Sequence, residues 1–394
     1  MEPTMISYAK LPSSVEMLLA KARQVTGIDI VDKSAEIPLQ MFCDSLNSEA
    51  QLTEQGAKEF EIFLTRLLCN RLRMFRDLSL HPEIREQQIQ APIFICGGLR
   101  TGSTKAHRML SSSGDFNWLP MWQSFNPSLI TGDRNESPAA RIKDTDNYIQ
   151  WINDASPNFK FGHEFRTHEP EEDTFILAHS LRTLIFSGMV EAPSYIGWLL
   201  QHRMSEQFEC LKETLQYLQW QGHANSSKRW LLKCPFYAGL EPELLNVFPN
   251  AQLVMTHRHP LETIPSTCSL FESCRVPYSD ASINASALVQ GAAITMARHL
   301  EIRRTMPEIR FIDVAYTDVT NNVEQLVERL YQSLGVTLSM NSRRRIIEWE
   351  KTHPIHQKGV HKYSLVDFGL NAQEIVSAFS EYIAFLRSVG INEE

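Results

Sequence analysis

The segment Ala91 to Leu110, APIFICGGLRTGSTKAHRML, constrains the fold more than any other part of the chain. Residues 92–96 form an apolar run of strand length, and glycines punctuate the turn that follows. Ser103 or Thr104 is placed to cap the helix that comes next. Unpaired backbone N–H groups at such a helix start form an anion site, typically for phosphate. The segment therefore predicts a strand–loop–helix unit that binds a phosphate group.

The loop departs from the Walker phosphate-binding pattern at its charged position. The pattern G-x-x-x-x-G-K-[ST] fits Gly97 to Thr104, but Ser103 stands in place of the lysine and the positive charge lies at Arg100. Without that lysine, the loop is poorly suited to transfer of a γ-phosphoryl group. It is still suited to hold a nucleotide phosphate whose neighbouring group is transferred.

Strands and helices alternate after residue 91, which predicts an α/β fold with a central parallel sheet flanked by helices. In such sheets ligands bind at the carboxyl ends of the strands, and both Arg100 and Arg258 follow predicted strands. Residues 1–90 are predicted to form a helical cap on a core of residues 91–394, together one compact domain. The predicted strands are 92–96, 230–233, 251–256 and 310–314, with a weaker one at 159–165. The predicted helices are 171–187, 194–221, 282–305 and 320–335, with another starting near Ser266.

The loop and the second basic turn resemble those of the PAPS-dependent sulfotransferases, in their bacterial-type branch. Residues 94–110 align without a gap with the family's 5′-phosphosulfate loop, F-I-x-G-x-P-R-[ST]-G-T-T-L-L-x-R-x-L. Arg258 and Ser266 have the eight-residue spacing of the family's 3′-phosphate site, and residues 358–370 resemble its closing H-x-Y-S-L-x-x-F-G-L loop. The resemblance implies a P-loop-like nucleotide-binding core.

The resemblance also implies a donor and an acceptor. The donor is PAPS, which leaves as 3′,5′-ADP, and the acceptor is the hydroxyl of a small-molecule alcohol or phenol. The loop departs from the family pattern at Leu99, Lys105 and Ala106. The identity of the acceptor stays open because Gln123 follows Trp122 where the family often has a glutamate, and Tyr237 stands where a histidine is frequent. The residues that the resemblance assigns to the donor are Arg100, Thr101, Gly102, Ser103, Thr104, Arg258, Ser266, Lys358 and His361.

Catalysis requires cations for the sulfuryl oxygens and a base for the hydroxyl proton. Arg100 supplies one cation, and Lys233 supplies another because its segment resembles the family's L-L-K-x-P strand end. His163 is the first candidate for the base, since an imidazole titrates near neutral pH, and Glu164 is the alternative. Lys105 is left either lining the acceptor pocket or facing solvent. His107 matches a position of the family pattern and is left either as a functional residue or as a packed side chain.

Composition limits the remaining possibilities. The chain has 394 residues and a net charge of −8, which argues against general nucleic-acid binding. No apolar run is long enough to cross a membrane, and the start does not resemble a signal peptide. Seven scattered cysteines without a C-x-x-C pair predict a cytoplasmic protein without a metal site. Oligomeric state is not indicated.

A second function remains open at this stage. A P-loop nucleotide-binding protein of kinase-like or non-catalytic function would share the loop. The serine in place of the Walker lysine and the additional Arg–Ser pair favour the sulfotransferase.

Overall fold

The computed structural model describes residues 8–202, 204–353 and 364–391. The chain begins with three helices, α1 (Val15–Thr26), α2 (Lys33–Ser48) and α3 (Glu54–Leu80). The side chains of Ser14 and Thr53 accept hydrogen bonds at the starts of α1 and α3, which satisfies otherwise unpaired N–H groups. The apolar residues of α3 recur at helical spacing and are buried, and the unbroken buried run from Leu67 to Leu72 shows that the middle of this helix is covered on all sides.

Four parallel strands form the central sheet: β1 (Ile93–Gly97), β2 (Leu231–Lys233), β3 (Gln252–His257) and β4 (Phe311–Ala315). Their order across the sheet is β2-β1-β3-β4. Each strand lies within one residue of its predicted position. Because all four strands run in the same direction, their carboxyl ends meet at one edge of the sheet.

Helices cover both faces of this sheet. Side chains of β1 alternate between two apolar clusters, with Phe94 in one and Ile93 and Ile95 in the other, as expected for a sheet buried on both sides. The predicted fold class is therefore confirmed. The remaining helices are α4 (Ser103–Ser111), α5 (Met121–Phe125), α6 (Ala139–Ala155), α7 (Phe159–Gly162), α8 (Thr174–Ala178), α9 (Ile185–Met189), α10 (Pro193–Leu200), α11 (Ser205–Trp220), α12 (Glu241–Val247), α13 (Pro260–Arg275), α14 (Ala285–Thr305), α15 (Tyr316–Asn321), α16 (Val323–Leu334), α17 (Met340–Thr352), α18 (Ala372–Ala378) and α19 (Ser380–Ser388).

Several predicted elements were wrong in type or extent. The weak strand at 159–165 is the short helix α7 followed by extended chain, because its aromatic residues pack around a pocket instead of joining the sheet. The predicted helix 171–187 is divided into α8 and α9, with Leu181 between them in the left-handed conformation (φ 57°). The predicted helix 194–221 is likewise divided, into α10 and α11.

Two predicted helix starts also differ from the structure. Helix α13 begins at Pro260, well before Ser266, because a proline has no N–H to leave unpaired in a first turn. Helix α4 is preceded by Gly102 in the left-handed conformation, with φ 86°, and neither Ser103 nor Thr104 caps it. The hydroxyl of Thr104 is therefore available for another partner.

The three N-terminal helices and the α/β core share one apolar cluster, which extends from Leu11 to Leu386. The division into a cap of residues 1–90 and a core of 91–394 stays a prediction. Within the described residues, no helix is both long enough and apolar enough to cross a membrane.

Candidate active site

The loop between β1 and α4 is closely fitted against β3. The hydroxyl of Thr101 donates to the backbone oxygen of Gly98 (2.7 Å) and lies 2.7 Å from the hydroxyl of Thr256. Gly97 has a φ of 131°, and a Cβ there would lie 2.6 Å from the backbone oxygen of Thr256. The loop needs glycine at this position because only glycine allows both this φ and this approach. The first turn of α4 consequently faces the carboxyl edge of the sheet.

Three predicted donor-binding side chains meet beside this loop. Arg100 donates from Nε to the hydroxyl of Ser266 (2.9 Å), and Arg258 donates from Nη1 to the backbone oxygen of Arg100 (3.4 Å). The guanidinium of Arg258 also lies 4.0 Å from the centre of the Tyr316 ring and pairs with Glu262. Two guanidinium groups and a hydroxyl thus converge where two parallel strands end, an arrangement suited to a phosphate.

Lys233 joins the end of β2 to the start of α4. Its ammonium donates to the hydroxyl of Thr104 (3.1 Å) and pairs with the carboxylate of Glu172. Its backbone N–H donates to a carboxylate oxygen of Asp173 (3.1 Å). Burial raises the pKa of Asp173 well above its usual range. Asp173 therefore fixes the backbone of Lys233, while Glu172 supplies the charge that balances the ammonium.

His163 lies against two neighbouring carboxylates. Its Nε2 is 2.8 Å from Oε1 of Glu171, and its Nδ1 is 3.9 Å from Oε1 of Glu172. Arg108, on α4, donates from Nη2 to Oε2 of Glu171 (3.2 Å) and to the backbone oxygen of Glu164 (2.9 Å). Arg100 donates from Nη1 to the backbone oxygen of Gly162 (2.6 Å). Arg100 in the loop and Arg108 on α4 thus hold the start of α4 and the segment around His163 together.

The two carboxylates and the imidazole form a group that could in principle hold a metal ion, since their ligand atoms lie within 4.8 Å of one another. The ammonium of Lys233 and the guanidinium of Arg108 already bind these carboxylates. Two fixed positive charges at this distance oppose the binding of a cation. The absence of a metal requirement stays a prediction.

An apolar pocket with a cavity volume of about 110 Å³ adjoins His163 and the two carboxylates and opens to solvent. In its lining, His163, Glu171 and Glu172 lie beside aromatic and aliphatic side chains. Such a surface favours a ligand with a largely apolar body. The aromatic lining residues are Tyr148, Phe159, Phe165, Phe175, Phe236, Phe271 and Tyr278.

Comparison with known proteins identifies the family. The model of the sulfotransferase family matches residues 92–340, which is more than half of the chain. The chain belongs to the sulfotransferase family. This family consists of group-transfer enzymes, and the predicted family is therefore confirmed.

Individual sulfotransferases resemble the chain at low sequence identity. The omega-hydroxy-beta-dihydromenaquinone-9 sulfotransferase Stf3 of Mycobacterium bovis is 26% identical over 258 residues, which cover 62% of this chain and 63% of that protein. The crystal structure of sulfotransferase STF1 from Mycobacterium tuberculosis is 26% identical, with a TM-score of 0.76 over 95% of this chain and 100% of that one. Sulfotransferase STF9 from Mycobacterium avium, 23% identical, shares the fold with a TM-score of 0.82 over 98% of each chain.

The structure brings some of the predicted site residues together and separates others. Arg100, Ser266 and Arg258 are brought together, and Thr101, Gly102, Ser103 and Thr104 form the loop and first turn beside them. Lys233 and His163 both reach Glu172. The carboxylate of Glu164 instead pairs with Arg166 (3.0 Å). Lys358 and His361 lie outside the described residues.

Two residues with open roles have structural partners. Lys105 pairs with Glu350 on α17 (2.7 Å), so it neither lines the apolar pocket nor simply faces solvent. His107 is buried, with Nε2 3.2 Å from the backbone oxygen of Leu231. Burial, together with the charge of Lys233, lowers the pKa of His107 to about 3. His107 is therefore a neutral packing residue that joins α4 to β2.

Sequence reasoning missed Arg108, Glu171 and Glu172 as members of the site. In the sequence, Glu171 and Glu172 have the pattern of charges that favour a helix start, and α8 does begin just after them, at Thr174. The available signal was the family-like Pro-Glu-Glu run and the arginine in the loop pattern, which coincides with Arg108. Neither signal by itself shows that these residues meet His163.

Proposed function

We propose that the chain transfers the sulfuryl group of PAPS to a hydroxyl of a small-molecule acceptor, with 3′,5′-ADP as the second product. The observation that carries this proposal is that two neighbouring sets of anion-binding groups, joined by the hydrogen bond from Arg100 to Ser266, lie at one sheet edge. One is the loop ending at Thr104, and the other is the pair Arg258 and Ser266. A nucleotide with both a 5′- and a 3′-phosphate needs two such sites.

Different residues have different proposed roles in an in-line displacement. The loop and Arg100 bind the 5′ end of the donor, and Arg258 with Ser266 binds its 3′-phosphate. PAPS supplies an activated sulfuryl group, which leaves its phosphate as the acceptor oxygen attacks. Lys233 balances negative charge on the sulfuryl oxygens, because its ammonium is already held at the first turn of α4 by Thr104.

His163 is the proposed base for the acceptor hydroxyl. It borders the apolar pocket, so a hydroxyl entering from that pocket reaches the imidazole. The carboxylate of Glu172, which also borders the pocket, replaces Glu164 as the alternative base. Both candidates lie within one cluster with Lys233, so proton removal and sulfuryl transfer take place side by side.

The proposed acceptor is an uncharged alcohol or phenol with a lipophilic body. The pocket is lined mainly by aromatic and aliphatic side chains, and an anionic acceptor would be repelled by Glu172. The relative Stf3 is named for a lipophilic quinone alcohol. A sugar acceptor would leave its many hydroxyl groups unpaired against such a surface.

The proposal is tested by donor binding and by transfer. A ligand that binds only the folded state raises the melting temperature of the protein. Since the proposed site has groups for a 3′-phosphate, 3′,5′-ADP should raise this temperature far more than ATP does. The purified protein should then transfer ³⁵S from labelled PAPS to a lipophilic alcohol more efficiently than to a sugar. Stabilisation by ATP alone would instead support the kinase-like or non-catalytic P-loop function.

A further inference from the structure

We propose that Glu171 is a positioning residue that holds the proton of neutral His163 on Nε2, which makes Nδ1 the atom that accepts the hydroxyl proton. The inference rests on the proposed function, in which His163 is the base. It assigns different tasks to two adjacent carboxylates. Glu171 acts through the histidine, and Glu172 acts on Lys233.

Glu171 is rigidly held. Its side chain is 2% exposed. Its Oε1 accepts from the backbone N–H of Glu172 (2.9 Å) as well as facing Nε2 of His163 (2.8 Å), and its Oε2 accepts from Arg108 (3.2 Å). Arg108 also donates from Nε to the backbone oxygen of Pro170 (3.2 Å). The carboxylate therefore cannot rotate away from His163 without losing several hydrogen bonds.

This geometry determines which ring nitrogen carries the proton. Although burial opposes ionisation, the hydrogen bond from His163, the charge of Arg108 and the backbone N–H of Glu172 hold the pKa of Glu171 below its usual range. An ionised carboxylate only accepts hydrogen bonds, so Nε2 of His163 must be the donor. The lone pair of the neutral ring then lies on Nδ1. The 3.9 Å between Nδ1 and Glu172 is too long for a hydrogen bond, so Glu172 does not compete for this lone pair.

The same arrangement favours the product of proton transfer. A proton that arrives on Nδ1 produces an imidazolium next to the buried, ionised carboxylate of Glu171. The nearby negative charge stabilises this cation. Phe159 and Phe165 flank the imidazole, with ring centres 6.2 Å and 5.2 Å from its own, and restrict its rotation. Orientation and electrostatics thus act together.

The test compares Glu171→Gln with Glu169→Gln, which removes one carboxylate from the same segment outside the cluster. We expect Glu171→Gln to lower kcat by about 10²–10⁴-fold, the order of loss seen when a catalytic imidazole is held in the wrong tautomer. The KM for PAPS should change less than about twofold, and Glu169→Gln should behave as wild type. Glu171→Asp, which retains the charge, should restore part of the activity.

The pH profile separates positioning from general damage. In Glu171→Gln the imidazolium formed by proton transfer loses its neighbouring negative charge, so the acidic limb of kcat/KM should move to lower pH. A variant with wild-type kcat and an unmoved acidic limb would overturn the inference. So would a lower kcat at every pH with an unmoved limb, because that pattern indicates a structural role only.

A measurement on the wild-type protein needs neither activity nor a variant. The ¹⁵N chemical shifts of the His163 ring distinguish a protonated Nε2 from a protonated Nδ1 at a pH where the ring is neutral. The inference requires the proton on Nε2, and a proton on Nδ1 would overturn it. If the wild-type protein transferred no sulfuryl group, the proposed function would fail, while the tautomer would still be decided by the spectrum.

Discussion

Replacing Arg258 should weaken the binding of a nucleotide only when that nucleotide carries a 3′-phosphate. Arg258→Met removes the guanidinium and keeps an unbranched stem to pack on Tyr316, over whose ring centre the guanidinium lies at 4.0 Å. Ser266, which accepts a hydrogen bond from Arg100, remains in place to hold part of the 3′-phosphate. The substitution therefore removes one donor group from the proposed 3′-phosphate site without emptying it.

The size of the effect follows from the partners of Arg258. A hydrogen bond between charged groups contributes about 1.5–3 kcal/mol. Against this, Arg258 must give up its pair with Glu262, a half-exposed ion pair worth about 0–1 kcal/mol. The net loss is about 0.5–3 kcal/mol, which corresponds to about 2–150-fold in Kd for 3′,5′-ADP.

Calorimetric titration at fixed ionic strength measures this loss directly. Wild type and Arg258→Met are titrated with 3′,5′-ADP and with 5′-AMP, which lacks the 3′-phosphate. Arg304→Met is the matched control, because Arg304 also pairs with a glutamate on its own helix but is largely exposed. Equal weakening of both nucleotides by Arg258→Met would refute the assignment of Arg258 to the 3′-phosphate.

Four further outcomes are expected. Gly97→Ala should abolish donor binding because its Cβ would meet Thr256, whereas Gly98→Ala, with no atom nearer than 3.9 Å, should bind 3′,5′-ADP as wild type does; titration of both variants checks this. His163→Ala should lower kcat by about 10²–10⁴-fold with an unchanged KM for PAPS, and near-normal turnover would exclude it as the base. Because the pKa of His107 is about 3 in the folded protein and about 6.5 when unfolded, stability should fall with decreasing pH between these values by up to about 1.4 kcal/mol per pH unit, and denaturation of His107→Gln should show a shallower fall. Sulfuryl transfer should persist in EDTA, and activity restored only by added Mg²⁺ would contradict a metal-free site.

The sheet was predictable from the sequence because each strand is a short apolar run bounded by turn signals. Residues 92–96 and 251–256 bury side chains on both faces, so their hydrophobicity is continuous and easily recognised. The segment 159–165 misled the same reasoning, because aromatic residues that line a pocket have the composition of a strand. Composition identifies burial, but it does not distinguish burial in a sheet from burial around a cavity.

The sequence also predicted that the proposed donor-binding residues lie close together. Arg100 and Arg258 follow neighbouring parallel strands, so the topology alone brings them to one edge. Their contact through the backbone oxygen of Arg100 depends on the positive φ of that residue, 67°, which a motif does not specify. The sequence therefore predicted which residues approach each other, but not how the loop orients them.

The acceptor side was harder because neighbours in sequence are not neighbours in the site. The backbone at His163 is extended, with φ −151° and ψ 109°, and successive side chains of extended chain point in opposite directions. Glu164 therefore pairs with Arg166, although it adjoins His163 in the chain. Glu171, eight residues on, meets the imidazole only because the chain turns back and Arg108 holds it there. Glu171 is therefore recognised as the partner of His163 through the cation that holds it, Arg108, which lies on α4.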